Sequence, residues 1–156
     1  MKVRELMVEE VEKITPDATV AEAAARLRGG GGAGAGNMPS LLVMEGAKLL
    51  GIVTLSDILK TAMPPFMLQD PHLAHLGWDG FLEERSRHAQ SRPVREVMST
   101  DVMTIDADAY LTEAAELLLT RRIHSLPVTH DGAVVGILYL SDLARAAFAR
   151  LGDPSR

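Results

Sequence analysis

The chain contains no cysteine, so disulfides and thiolate metal centres are excluded and an ordinary reducing compartment suffices for it. Nor does any run approach the roughly 18 apolar residues that a membrane span needs. Met1-Lys2-Val3-Arg4-Glu5 lacks the apolar segment of a secretion signal, and the expectation is a soluble, cytoplasmic protein with no membrane partner. Basic charge is short as well, the formal net charge being −5. That argues against a general affinity for nucleic acid, which needs a positive field to displace counterions; an anionic ligand requires a local cationic pocket. Catalytic signatures are equally scarce. No nucleophile–base pair, metal quartet or paired carboxylates stand out, and no Gly-Lys-Ser/Thr phosphate loop occurs. The run from Gly29 to Gly36 is no substitute, because it lacks the lysine and follows no strand. An enzyme is the weakest of the readings.

What the chain does have is a doubled corner. Gly51-Ile52-Val53-Thr54-Leu55-Ser56-Asp57 returns as Gly136-Ile137-Leu138-Tyr139-Leu140-Ser141-Asp142, each followed by an amphipathic run. The pattern describes a buried strand that stops at a helix start, where Ser and Asp accept a hydrogen bond from an orphan backbone N–H. Around it the self-similarity extends. Leu41 to Met63 matches Leu126 to Phe148 without a gap at an offset of 85 (51 against 136), and Val3 to Arg28 matches Val94 to Leu119 at 91 (3 against 94). The difference is an insertion in the glycine-rich run, which has little preference for any conformation. Two copies in 156 residues would each bury a marginal core, so they should fold against each other.

Within each copy the spacing predicts a short helical entry (Val3 to Met7; Val94 onward), a short strand (Val11 to Ile14; Val102 to Ile105), a helix, two strands and a closing helix. Thr19-Val20-Ala21-Glu22 reads as a capping box, with the first helix ending at Gly29. Tyr110 stands where the second copy needs that threonine, so its helix is expected to start on Asp108 or Thr112. Strands Leu41 to Met44 and Leu49 to Leu55 turn at Gly46; Leu126 to Thr129 and Val134 to Leu140 turn at Asp131-Gly132, a good hairpin signal. Pro64-Pro65 stops the first closing helix. The domains are then 1–63, with its insertion at 29–36, a partly helical linker at 64–93, a second repeat at 94–151 and a tail at 152–156. In the linker Asp79 is a candidate cap for a helix through Phe81 to Arg85, and Phe66, Met67, Leu73, Leu76 and Trp78 need a surface to pack on. Asp70, His72 and His75 are a weak metal candidate with no further ligand evident, and no metal is expected.

Each copy resembles a CBS domain, the cystathionine-β-synthase motif, and the two in tandem resemble the paired unit known as a Bateman module. The resemblance rests on the two Gly-Ile…Ser-Asp stretches and on Arg121-Arg122-Ile123-His124-Ser125-Leu126-Pro127-Val128, and covers about residues 3 to 63 and 94 to 148. It implies an α+β fold of two tandem βαββα repeats packed through their sheets in pseudo-two-fold symmetry. It also implies two clefts that take AMP, ADP or ATP, with S-adenosylmethionine ranking behind these. Matching positions would put Asp57 and Asp142 on ribose hydroxyls and Thr54 on phosphate, beside Ser56 and Ser141. His124 and Arg122 would form a phosphate clamp beside Pro127, and Thr104, Ile105, Asp106 and Ala107 would frame the adenine. A homodimer through the closing helices is favoured over a monomer, and any regulated effector would be a separate protein.

The residues themselves admit a plainer role. Read plainly, Ser56, Asp57, Ser141 and Asp142 are N-caps, worth about 1 kcal/mol each. That role is adequate for the serines and less so for the aspartates, because a purely structural strand has no need of Thr54. Arg121 with Arg122 is then the solvated end of a helix. The copies also differ: Tyr139 replaces Thr54, Pro39 stands opposite His124, and Lys13 opposite Thr104. The expectation is that the first cleft has the better Ser/Thr-Asp corner and the second the better adenine frame and basic clamp. Unequal occupancy follows, with the second slightly favoured. The leading function is a non-catalytic module that senses an adenine nucleotide, and the alternative is a structural or dimerisation module with vestigial sites.

Overall fold

The computed structural model describes residues 1–29, 37–75 and 79–149. Most of the glycine-rich insertion, Leu76, Trp78 and the tail at 152–156 lie outside the described residues. The first repeat runs β1 (Lys13–Ile14), α1 (Val20–Arg28), β2 (Ser40–Glu45), β3 (Lys48–Thr54) and α2 (Leu55–Ala62). The second runs β4 (Ile105–Asp106), α6 (Leu111–Thr120), β5 (Ser125–His130), β6 (Ala133–Tyr139) and α7 (Leu140–Phe148). Between them lie α3 (Pro65–Gln69), α4 (Pro71–Ala74) and α5 (Phe81–Ala89). Each repeat carries a three-stranded sheet in which the short first strand pairs parallel with the second and the second antiparallel with the third. The order is the α+β, βαββα arrangement read from the duplication. Among the described residues no helix is long and apolar enough to cross a membrane.

The two repeats are joined by exchanging their first residues. Val3 and Arg4 donate their N–H groups to Ala109 and Ala107 of the second repeat at 2.9 Å each, and Val94 and Arg95 donate to Ala18 and Pro16 of the first at 2.7 and 3.1 Å. Val3 is fully buried in the core formed by Ile105, Ala114, Leu118, Leu126 and Leu138, and Val94 in the core of Ile14, Ala23, Leu27, Leu41 and Val53. A few residues on, Val8 pairs with Ile137 and Ser99 with Ile52, each across the repeats. By the two offsets these are the same contact made twice, which is the pseudo-two-fold relation. It also explains the glycine at the head of each doubled stretch. A Cβ on Gly51 would stand 2.7 Å from the Ser99 carbonyl oxygen, and one on Gly136 would stand 2.8 Å from that of Val8.

Several helix starts differ from expectation. Thr19 does cap α1, its hydroxyl accepting from the Glu22 N–H at 3.2 Å. But α6 starts on neither Asp108 nor Thr112: Tyr110 is the N-cap residue, and Glu113 reaches back to accept its N–H at 3.1 Å, so the box carboxylate works without the hydroxyl. Asp79 does not cap α5 either. Gly80 takes that place with a left-handed φ of 72°, a conformation cheap for glycine, and the helix runs on to Ala89. Asp70 caps α4 by accepting the His72 N–H at 3.0 Å and is not gathered with His72 and His75. Of the linker's apolar residues Met67 is buried, whereas Phe66 stays half exposed.

Candidate ligand-binding cleft

At the first doubled corner the strand β3 ends and α2 begins. The cap is Thr54, not Ser56 or Asp57: the chain leaves the sheet two residues earlier than a cap at Ser56 would require. Asp57 is then the third helical residue and closes a capping box. Its Oδ2 accepts from the Thr54 N–H at 2.9 Å and from the Thr54 hydroxyl at 3.1 Å. Its Oδ1 accepts from the Ser99 hydroxyl at 3.1 Å. Asp57 is buried, at 7% exposure, so these partners supply what water would otherwise supply. Ser56 is exposed on the first turn of the helix.

This corner opens on a cleft of about 460 Å³ whose other wall belongs to the second repeat. One side carries Ser40, Ile52, Thr54, Ser56, Asp57 and Lys60. The other carries Ser99, Asp101, Val102 and Met103, then Arg122, Ile123, His124, Ser125 and Pro127. The Ser/Thr-Asp corner and the basic clamp, which the sequence divided between two clefts, thus line one. The reason is the crossing of the repeats: the segment from Ser99 to Met103 runs over β3 and carries the start of its own repeat with it.

Arg122 is held in place by unusual backbone. α6 ends at Thr120, the Ile123 N–H returns to the Leu118 carbonyl at 3.1 Å, and Arg122 between them has φ 54°. This is the ending in which glycine normally occupies the left-handed position. An arginine there costs about 1 kcal/mol or more. Among the described residues neither Arg122 nor Lys60 is held in an ion pair. The Ser40 hydroxyl is buried in the cleft wall, beside the Tyr139 phenol.

The second doubled corner is filled. Tyr139, the residue before α7, is only 3% exposed and makes no side-chain cap. Burial pushes its phenol above the usual pKa; the adjacent Ser40 hydroxyl acts in the opposite sense, and the Asp142 carboxylate adds to the rise. Asn37, which stands opposite Arg122 by the offset of 85 (37 against 122), occupies the corner from the first repeat. Its side-chain oxygen accepts from the Ser141 hydroxyl, and its amide donates to Asp142 Oδ2 at 3.1 Å. The other Asp142 oxygen takes Arg145 at 2.5 Å. The corner that the expectation slightly favoured is thus occupied by the chain's own side chains. Its acid is engaged, its serine is engaged, and its tyrosine takes up the space that Thr54 leaves open in the first copy.

Nor does the expected adenine frame meet the cleft. Ile105 and Ala107 are buried in the second core, Ala107 accepting the Arg4 N–H. Thr104 and Asp106 line a separate depression with Thr112, Glu113 and Glu116. Asp106 also caps the turn by accepting the Asp108 N–H at 2.8 Å, and its carboxylate converges with Asp108 and His130. There Asp108 already pairs with Arg4 at 2.7 Å. Val102 and Met103, a residue or two earlier, line the cleft instead. The residues that sequence reasoning missed, Ser40, Lys60 and Ser99, left only faint signals. Lys60 lies one turn beyond Ser56 on α2, and Ser99 follows the repeated Val-Arg-Glu-x-Met.

The fold and this cleft between paired repeats define a class. The CBS-domain family model matches residues 3–63 and 94–149, and the chain belongs to that family as a tandem pair. It is 29% identical over 143 residues to the CBS domain-containing protein YhcV of Bacillus subtilis (strain 168), covering 91% of this chain and 82% of that one. The CBS-domain protein ATU1752 of Agrobacterium tumefaciens superposes with a TM-score of 0.69 at 20% identity, over 94% of this chain and 99% of its own. The CBS pair of MJ0100, solved with 5′-methylthioadenosine and S-adenosyl-L-methionine, superposes with a TM-score of 0.68 at 21% identity, over 96% and 98%.

Proposed function

We propose that this CBS pair is a non-catalytic regulatory module that binds one adenine nucleotide per chain, in the cleft at the first corner. The observation that carries the reading is the convergence of Thr54, Ser56 and Asp57 with Arg122 and His124 on a 460 Å³ cleft walled by both repeats. The adenosine of AMP, ADP or ATP lies against Ile52, Val102, Met103 and Pro127. A ribose hydroxyl exchanges with the Ser99 hydroxyl on Asp57 Oδ1, a rotor that turns away at little cost. The phosphate meets the first turn of α2, where N–H groups and the dipole favour an anion, and the cations of Arg122 and Lys60. Those two charges rank S-adenosylmethionine, a sulfonium cation, behind the nucleotides, although MJ0100 carries it. Because the ligand touches both repeats, its occupancy biases their relative geometry. That bias passes to a separate effector protein or to a second copy packed through the exposed Leu55, Leu59 and Phe148 of the closing helices. The filled second corner supports a vestigial, structural role for that half alone.

Calorimetric titration tests this directly. AMP, ADP or ATP is expected to bind with one site per chain, and His124→Ala to weaken it roughly two- to tenfold, the loss of one neutral hydrogen bond. Asp142→Ala should leave the affinity unchanged. No heat and no thermal shift with any adenosine compound would sink the reading.

A further inference from the structure

Lys60 is the one residue shared by the cleft and a second concavity. That concavity is a groove of about 500 Å³ formed by Lys60, Thr61 and Met63 at the end of α2, Pro65, Leu68 and Gln69 of α3, and Arg85 and Arg92 from α5 and the turn after it. Three of its side chains are cationic and none is acidic, in a chain whose net charge is −5. Among the described residues Arg85 and Arg92 enter no ion pair. Arg92 is not a loose surface residue at the backbone: its carbonyl accepts the Val20 N–H at 2.9 Å, and its N–H returns to Ala89 at 3.1 Å. The groove exists because Pro64 and Pro65 end α2 and turn the chain away, after which α5 packs back along α2.

Cleft and groove follow one another along the same helix. Ser56, Asp57 and Lys60 face the cleft, and Lys60, Thr61 and Met63 face the groove. At 1.5 Å of rise per residue, Lys60 lies about 4.5 Å beyond Asp57 along the axis, and Met63 about 9 Å. A phosphate chain that leaves the cleft past Lys60 therefore runs toward Arg85 and Arg92. We propose that this groove is a polyphosphate subsite, holding the distal phosphates of the nucleotide whose nucleoside sits in the cleft. It makes ATP the preferred ligand over AMP. The proposal rests on the reading of the cleft given above, and it assigns a ligand-discriminating role to the segment between the repeats.

The test is titration of the full chain in magnesium-free buffer with adenosine, AMP, ADP, ATP and inorganic tripolyphosphate. The wild type, an Arg85→Ala/Arg92→Ala double variant and an Arg87→Ala control are compared. Arg85, Arg87 and Arg92 are exposed, so the variants should fold as the wild type does. ATP is expected to bind at least tenfold more tightly than AMP in the wild type and in Arg87→Ala. The double variant should bring ATP down to the affinity of AMP while leaving AMP unchanged. Equal binding of AMP and ATP by the wild type, or equal weakening of both in the double variant, would overturn the subsite. If no adenosine compound binds but tripolyphosphate does, and the double variant abolishes it, the groove stands while the cleft reading falls. If tripolyphosphate is silent as well, both fall.

Discussion

Under the proposed function, Arg122 is the residue at which stability and binding pull in opposite directions. Its left-handed φ of 54° is what the end of α6 requires, and glycine meets that requirement without a Cβ clash. Arg122→Gly is therefore expected to stabilise the fold by about 1 kcal/mol, raising the melting temperature by roughly 2 to 4 °C for a chain of this size. The same change removes a charged donor from the cleft and should weaken nucleotide binding roughly ten- to 150-fold. A variant that is less stable, or that binds as before, would show that the arginine merely ends the helix. The doubled motif made Thr54, Ser56 and Asp57 readable as a corner, and the family resemblance marked Arg122 and His124 as a candidate clamp. Their meeting was not readable, because it depends on a crossing between repeats that no local spacing encodes. Asn37 was hidden for a related reason: beside a glycine-rich run an asparagine reads as loop, and only its partners Ser141 and Asp142 reveal it as an occupant.

Among the elements, the strands and helices followed from periodicity, whereas their first residues did not. Capping depends on where the chain leaves the sheet, and a two-residue shift moved the cap from Ser56 to Thr54. Gly51 in β3 and Gly136 in β6 carry a constraint of another kind. At Gly136 an added Cβ would meet the Val8 carbonyl oxygen at 2.8 Å and the Met7 sulfur at 2.9 Å. The sulfur can move, but the carbonyl cannot, since Val8 and Ile137 exchange both backbone hydrogen bonds, at 2.8 and 2.9 Å. Gly136→Ala should therefore destabilise the protein by about 1 to 3 kcal/mol, the usual cost of overpacking. Urea denaturation with an unchanged slope would measure it. A loss below about 0.5 kcal/mol would mean that the entry segment can slide off the strand.

At the scale of the whole molecule the exchange of entry segments makes each sequence repeat incomplete in space. The first core takes Val94 and the half-buried Met98 from beyond the linker, and the second takes Val3, Leu6 and Met7 from the start of the chain. Full burial of one such valine is worth about 1.5 to 3 kcal/mol, a large share of what a domain of that size holds in reserve. Polypeptides 1–75 and 79–156 should each lack cooperative thermal unfolding by circular dichroism, and should recover it when mixed, because only together do they supply Val3 to one core and Val94 to the other. A sharp transition in either piece alone, near that of the intact chain, would contradict the dependence. The same dependence would give the proposed ligand its leverage: a nucleotide held between Asp57 and Arg122 would grip two halves that cannot settle independently, so adding AMP, ADP or ATP is expected to raise the melting temperature of the entire chain in one transition.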